Sequence, residues 1–104
     1  MSIDAQAEAA RDKWVAWVKA EGDGFWKFGN IPDEAMAEWI PGYLRGVQDR
    51  IAAVHEGDVD HDYLWGYGEE LGYLRQPIRP DEMIGKCYAT GYIAGYQSIG
   101  GGNG

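Results

Sequence analysis

The chain has 104 residues, with 17 Asp and Glu against nine Lys and Arg, a formal net charge of −8 and one cysteine, Cys87. That length suits a single domain, read as residues 1–99 followed by a glycine-rich tail at 100–104. The lone thiol excludes an internal disulfide, and the shortage of bases excludes direct nucleic-acid and anionic-membrane binding, both of which rest on clustered Lys and Arg.

Residues 4–21 are predicted as an amphipathic helix, because Ala7, Ala10, Trp14, Trp17 and Val18 recur at offsets that share one face. Asp4 is its expected N-cap and Gly22 its stop. The stretch 22–29 carries three glycines around Phe25, Trp26 and Phe28 and is predicted as a loop whose aromatics either cover the core or meet a partner. Pro32, Asp33 and Glu34 then open a second helix running toward Val54, since proline suits the first helical position and carboxylates favour the positive end of the dipole. Pro41 removes a backbone donor inside it and predicts a kink or break near Trp39 and Ile40.

A third helix is expected from Asp60 or Asp62 to Arg75, weakened by Gly66, Gly68 and Gly72. Pro77 and Pro80 end the connection, Asp81 and Glu82 open a fourth helix reaching about Ser98, and the tail is expected to be flexible. The fold class that follows is all-α: a compact bundle of four or five short helices.

The second and fourth predicted helices echo each other. Pro32-Asp33-Glu34 recurs as Pro80-Asp81-Glu82, and Gly42-Tyr43-Leu44-Arg45-Gly46-Val47-Gln48 recurs as Gly91-Tyr92-Ile93-Ala94-Gly95-Tyr96-Gln97. Glycines four apart share a helical face and remove the side chains that hold another backbone away, so these two helices are expected to pack closely through Gly42/Gly46 and Gly91/Gly95, flanked by Tyr88, Tyr92 and Tyr96.

The charge is local. Residues 56–72 hold Glu56, Asp58, Asp60, Asp62, Glu69 and Glu70 and no Lys or Arg. Asp58, Asp60, Asp62 and Glu69 also stand at the first, third, fifth and twelfth positions of an EF-hand-like calcium loop, although Tyr63 occupies the position that wants glycine. The competing expectation is that the same carboxylates cap a helix and complement its dipole. His55 and His61 offer a weak transition-metal set and read more simply as surface residues. Hydroxyl nucleophiles are few, no phosphate loop or zinc motif is present, and Cys87 reads as a small buried thiol; no enzyme and no cofactor are expected.

Carboxylates interleaved with Tyr63, Trp65 and Tyr67 combine charge that steers a basic partner with rings that make binding hot spots. The expected function is therefore a non-enzymatic protein-binding module. Its partner-binding residues would be Glu56, Asp58, Asp60, Asp62, Tyr63, Trp65, Glu69 and Glu70, extended by Phe25 and Trp26. By analogy only, and with no motif to identify a family, small acidic proteins of this kind from phages and mobile elements block restriction or CRISPR machinery by occupying basic, nucleic-acid-binding grooves. A calcium-responsive helix-loop-helix module and a self-associating structural protein, in the simplest case a homodimer, are the alternatives. With no basic start followed by an apolar run, a cytoplasmic location is expected.

Overall fold

Ser2, rather than Asp4, caps the first helix: its hydroxyl accepts the Ala5 N–H at 3.1 Å, and α1 runs Ile3–Glu21. Asp4 falls in the first turn, where it complements the dipole instead of closing the helix. The computed structural model describes residues 2–55, 59–75 and 82–99, apart from the side chains of Phe25 and Phe28. The predicted features at Glu56, Asp58, Pro77, Pro80, Asp81 and the 100–104 tail lie outside the described residues.

Gly22 ends α1 by donating its N–H to the Val18 carbonyl at 2.9 Å, and a Cβ there would stand 2.2 Å from the Trp26 carbonyl oxygen. The following segment is two 3-10 turns, Gly24–Trp26 and Phe28–Asn30, the first capped by Asp23. The helix expected from Pro32 is split into α2, Asp33–Met36, and α3, Trp39–Ile51. Pro41 explains the split. It sits in the first turn of α3, where an absent N–H costs nothing, but its ring forbids a continuous helix through the Ala37 carbonyl.

Helix α3 stops at Ile51, short of Val54, through a Schellman turn: Val54 N–H donates to the Asp49 carbonyl at 3.1 Å and Ala53 N–H to the Arg50 carbonyl at 3.2 Å. Ala53 adopts φ 53°, a left-handed conformation that glycine tolerates far better. Ala53→Gly is expected to stabilise the fold by about 1 kcal/mol, read as a rise in the urea midpoint; a fall would mean that the turn is not held in that conformation.

Helix α4, His61–Arg75, begins where Asp60 Oδ1 accepts the Tyr63 N–H at 2.8 Å. Helix α5 spans Glu82–Ser98.

The centre of the all-α bundle is the crossing of α3 and α5, the second and fourth predicted helices. A Cβ at Gly42 would lie 2.2 Å from the Tyr88 carbonyl oxygen and one at Gly46 2.1 Å from that of Tyr92. Reciprocally, one at Gly91 would lie 2.0 Å from the Trp39 oxygen and one at Gly95 2.0 Å from the Tyr43 oxygen. The pairs ascend together, so the two helices run parallel, and the contacts exchange under a local two-fold that matches the sequence echo. Each glycine turns a Cα–H toward a carbonyl, the geometry of a weak hydrogen bond.

Helix α4 returns antiparallel along α5, its Gly72 opposite Gly85 and Tyr88 and its Gly68 opposite Ala89 and Tyr92. Helix α1 lies against α3 through Ala7 and Trp14, and Gln6 Nε2 donates to Tyr43 Oη at 2.9 Å. Trp17, expected on the buried face, is 46% exposed: at 100° per residue it lies at the edge of the arc centred on Ala7, Trp14 and Val18. Cys87, Tyr88, Tyr92 and Tyr96 are all buried, as the sequence implies.

Candidate functional site

Helix α4 has two opposed faces. Leu64, Gly68 and Gly72 recur every four residues and are buried against α5. On the opposite arc stand Asp62, Tyr63, Gly66, Glu70 and Leu74, all exposed, with Tyr63 52% and Leu74 68% accessible. Asp62 and Glu70 pair with no cation among the described residues. A Cβ at Gly66 would meet nothing within 4 Å.

This placement divides the predicted partner-binding set. Asp60, Asp62, Tyr63 and Glu70 do come together on one outward surface, with Asp60 also serving as the helix cap. Glu69 instead turns inward and accepts from Lys86 Nζ at 3.0 Å; that bond, more than Glu82 at 3.5 Å, raises the lysine pKa. Trp65 and Trp26 are half-buried and pack on each other edge to face at 6.3 Å. They belong to an aromatic ladder that continues from Trp26 to Trp14 at 5.9 Å, then to Trp39 at 5.9 Å and Tyr43 at 5.6 Å. The loop tryptophan is thus a tie between α4 and α1, its ring meeting Trp65 on one and Trp14 on the other. Glu56, Asp58 and the Phe25 side chain are outside the described residues.

Of the four EF-hand-like positions, Asp60, Asp62 and Glu69 lie among the described residues, and α4, from its cap onward, spreads them along its length. A calcium loop wraps its ligands around one point, whereas Asp62 and Glu69 lie seven residues apart on a regular helix, about 10 Å along its axis at 1.5 Å per residue. Asp60 is engaged as a cap and Glu69 by Lys86. Among the described residues no group of three or more His, Cys, Asp or Glu is placed to hold a metal. The route to self-association through the Gly/Tyr helices is likewise closed, since those faces of α3 and α5 are buried against each other.

Behind the outward face lies a polar network that no local pattern announces. Asp49 is 2% exposed; its Oδ1 accepts from Arg45 Nε at 2.9 Å and its Oδ2 from Tyr92 Oη at 2.7 Å. Because the Tyr92 hydroxyl directs its single proton to Asp49, its oxygen accepts from His55 Nε2–H at 2.8 Å, which sets the histidine tautomer. His55 is buried rather than on the surface, ringed by Tyr63, Tyr67, Tyr92 and Tyr96 at centroid distances of 5.2, 4.5, 6.3 and 5.5 Å. Burial first, and the bond to Asp49 second, push the Tyr92 hydroxyl well above its ordinary pKa, while the bond that Arg45 donates to Asp49 raises the pKa of the arginine. The network ties the Schellman turn after α3 to α5. Its only sequence signal is the four-residue spacing of Arg45 and Asp49; Tyr92 and His55 are brought in by the crossing.

One apolar groove of about 650 Å³ opens elsewhere, among Ile3, Leu44, Val47, Ile51 and Ile99, with Asp4 as its one charged neighbour. No helix among the described residues is long and apolar enough to cross a membrane. No protein-family model, curated protein or solved structure matches this chain.

Proposed function

We propose that this chain is a small, acidic, non-enzymatic protein-binding module whose outward α4 face occupies a basic, nucleic-acid-binding surface of a partner complex, in the manner of phage and mobile-element inhibitors of restriction or CRISPR machinery. The observation that carries the reading is the isolation of that face: Asp62 and Glu70 share it with an exposed tyrosine and leucine, with no basic side chain among them. Three of the chain's nine Lys and Arg are engaged elsewhere, Arg45 on Asp49, Arg75 on Glu38 and Lys86 on Glu69. The carboxylates left facing water set up an uncompensated negative potential that accelerates encounter with a basic surface and falls off with salt.

The test reverses Asp62 and Glu70 to Lys, sparing Asp60 and Glu69 because each has a structural bond. Affinity capture from the source cell at low and moderate salt is expected to retain a nucleic-acid-handling protein with the wild type. The double variant, at equal helicity, should lose it. Equal retention by both proteins would sink the reading.

Self-association is the second reading, favoured by the open groove beside Ile3, Ile51 and Ile99. A dimer in sedimentation equilibrium that Ile51→Glu, at a groove residue 71% exposed, dissolves at unchanged helicity would support it.

A further inference from the structure

Among the described residues, the glycines of the α-helices follow a rule with one exception. Gly42, Gly46, Gly68, Gly72, Gly85, Gly91 and Gly95 each have an atom of a facing helix within 3.0 Å of where a Cβ would stand. Each is therefore glycine because another helix lies on it. Gly66 sits in the middle of α4, where glycine weakens the helix relative to alanine, yet nothing lies within 4 Å of its Cβ position. Internal packing gives no reason for it.

Its surroundings supply one. At 100° per residue, Gly66 lies inside the exposed arc, between Asp62 one turn before and Glu70 one turn after, with Tyr63 and Leu74 along the same side. The chain also shows how it holds cations: Lys86 Nζ pairs with Glu69 and stands 5.7 Å over the Trp65 ring, and the Arg50 and Arg75 guanidinium groups lie 4.9 and 5.6 Å over Tyr96 and Tyr88. The outward face carries the same two components, carboxylates and a half-exposed ring, without a cation among the described residues.

Resting on the binding reading above, we propose that the partner element seated on α4 is a Lys/Arg-bearing α-helix that crosses at Gly66 with its backbone in close contact, as α3 and α5 cross within the fold. Its bases pair with Asp62 and Glu70 and lie against Tyr63; an aliphatic side chain meets Leu74. An extended polycation lacks the ridge that fills the notch at Gly66, so the face distinguishes a basic helix from basic charge alone.

The probes are a labelled Lys/Ala peptide of about 15 residues, long enough to form helix, and a Lys/Gly peptide of equal length and charge that does not. Anisotropy gives affinity, and amide shifts of the ¹⁵N-labelled full chain give the site. Wild type should favour the helical peptide by about tenfold, with shifts over residues 62–74. Gly66→Leu, whose Cβ meets nothing within 4 Å, should melt no lower than wild type and lose that preference while binding the Lys/Gly peptide unchanged; Gly66→Ala should melt higher yet bind the helix more weakly. Asp62→Asn with Glu70→Gln should weaken both peptides. A Gly66→Leu protein that binds the helical peptide like wild type, or a wild type indifferent to helicity, overturns the crossing while leaving the acidic face standing. If neither peptide binds, or the shifts fall away from α4, both readings are overturned.

Discussion

Gly95→Ala and its mirror Gly46→Ala are each expected to destabilise the fold by about 3 kcal/mol or more, and together to leave the chain unfolded. The added methyl groups would stand 2.0 and 2.1 Å from carbonyl oxygens of the opposite helix. Those oxygens belong to helical backbone, so no rotamer change relieves the clash; α3 and α5 must move apart. Separation opens the Tyr43 and Tyr92 contacts that the crossing buries, and a domain of this size has only about 5–15 kcal/mol in total to lose. Gly66→Ala is the control with the opposite sign. Its methyl group meets open space, so only helix propensity changes, and a gain of about 1 kcal/mol is expected. Urea unfolding of the three single variants checks both signs at once. An unchanged midpoint for Gly95→Ala would mean that the helices do not touch there.

Tyr92→Phe carries the second large effect. It removes the 2.7 Å bond to a carboxylate that is 2% exposed and leaves His55 Nε2 without its acceptor. Arg45 still holds the other carboxylate oxygen, so the expected cost is that of one charge-assisted bond plus one stranded donor, about 2–4 kcal/mol. The phenol also makes stability depend on pH. Its folded pKa is raised by burial and by Asp49, so the folded state keeps the proton after the unfolded chain, at about 10, begins to release it. Stability from this group is thus complete below that unfolded value and is lost as pH rises above it. Tyr88, raised by burial, adds in the same direction. Unfolding free energy should therefore fall on the alkaline side in the wild type and fall less steeply in Tyr92→Phe. A variant that matched wild-type stability at neutral pH, or kept the full alkaline decline, would refute the bonded network.

Much of the architecture was legible because it is written in local spacing. The apolar rhythm of residues 4–21, the carboxylates before α4 and the glycine-tyrosine echo each point to helices, and the echo also names which two helices meet and through which residues. Pro41 announced a break near its true position, since the steric conflict it creates reaches only one turn back. Asp60 as a cap was one of two open readings of the same carboxylates, and the helix decides for it.

The candidate face was half legible. Asp60, Asp62, Tyr63 and Glu70 share a surface because they share one helix and its start, a matter of angle alone. Trp26, Trp65 and Glu69 were assigned to the same surface and are not on it. Whether a ring or carboxylate turns out or in depends on what arrives opposite, and their neighbours, Trp14 and Lys86, come from elements whose arrival has no signature near residue 65. Gly66 is the converse case. In the sequence it is one of three weak points in a helix, and only the open space beside it separates it from Gly68 and Gly72.

By itself the sequence determined an all-α chain, the pairing of two glycine-faced helices and a base-free acidic segment, because backbone propensity, helical period and charge are properties of neighbours in the chain. Only the tertiary structure decided which carboxylates stay in water, that the tryptophans form an internal ladder, and that Asp49, Tyr92 and His55 form one buried network. Those outcomes depend on which surfaces the parallel crossing of α3 and α5 brings within bonding distance, and residues 37 and 43 apart in the chain carry no mark of that encounter until the helices close.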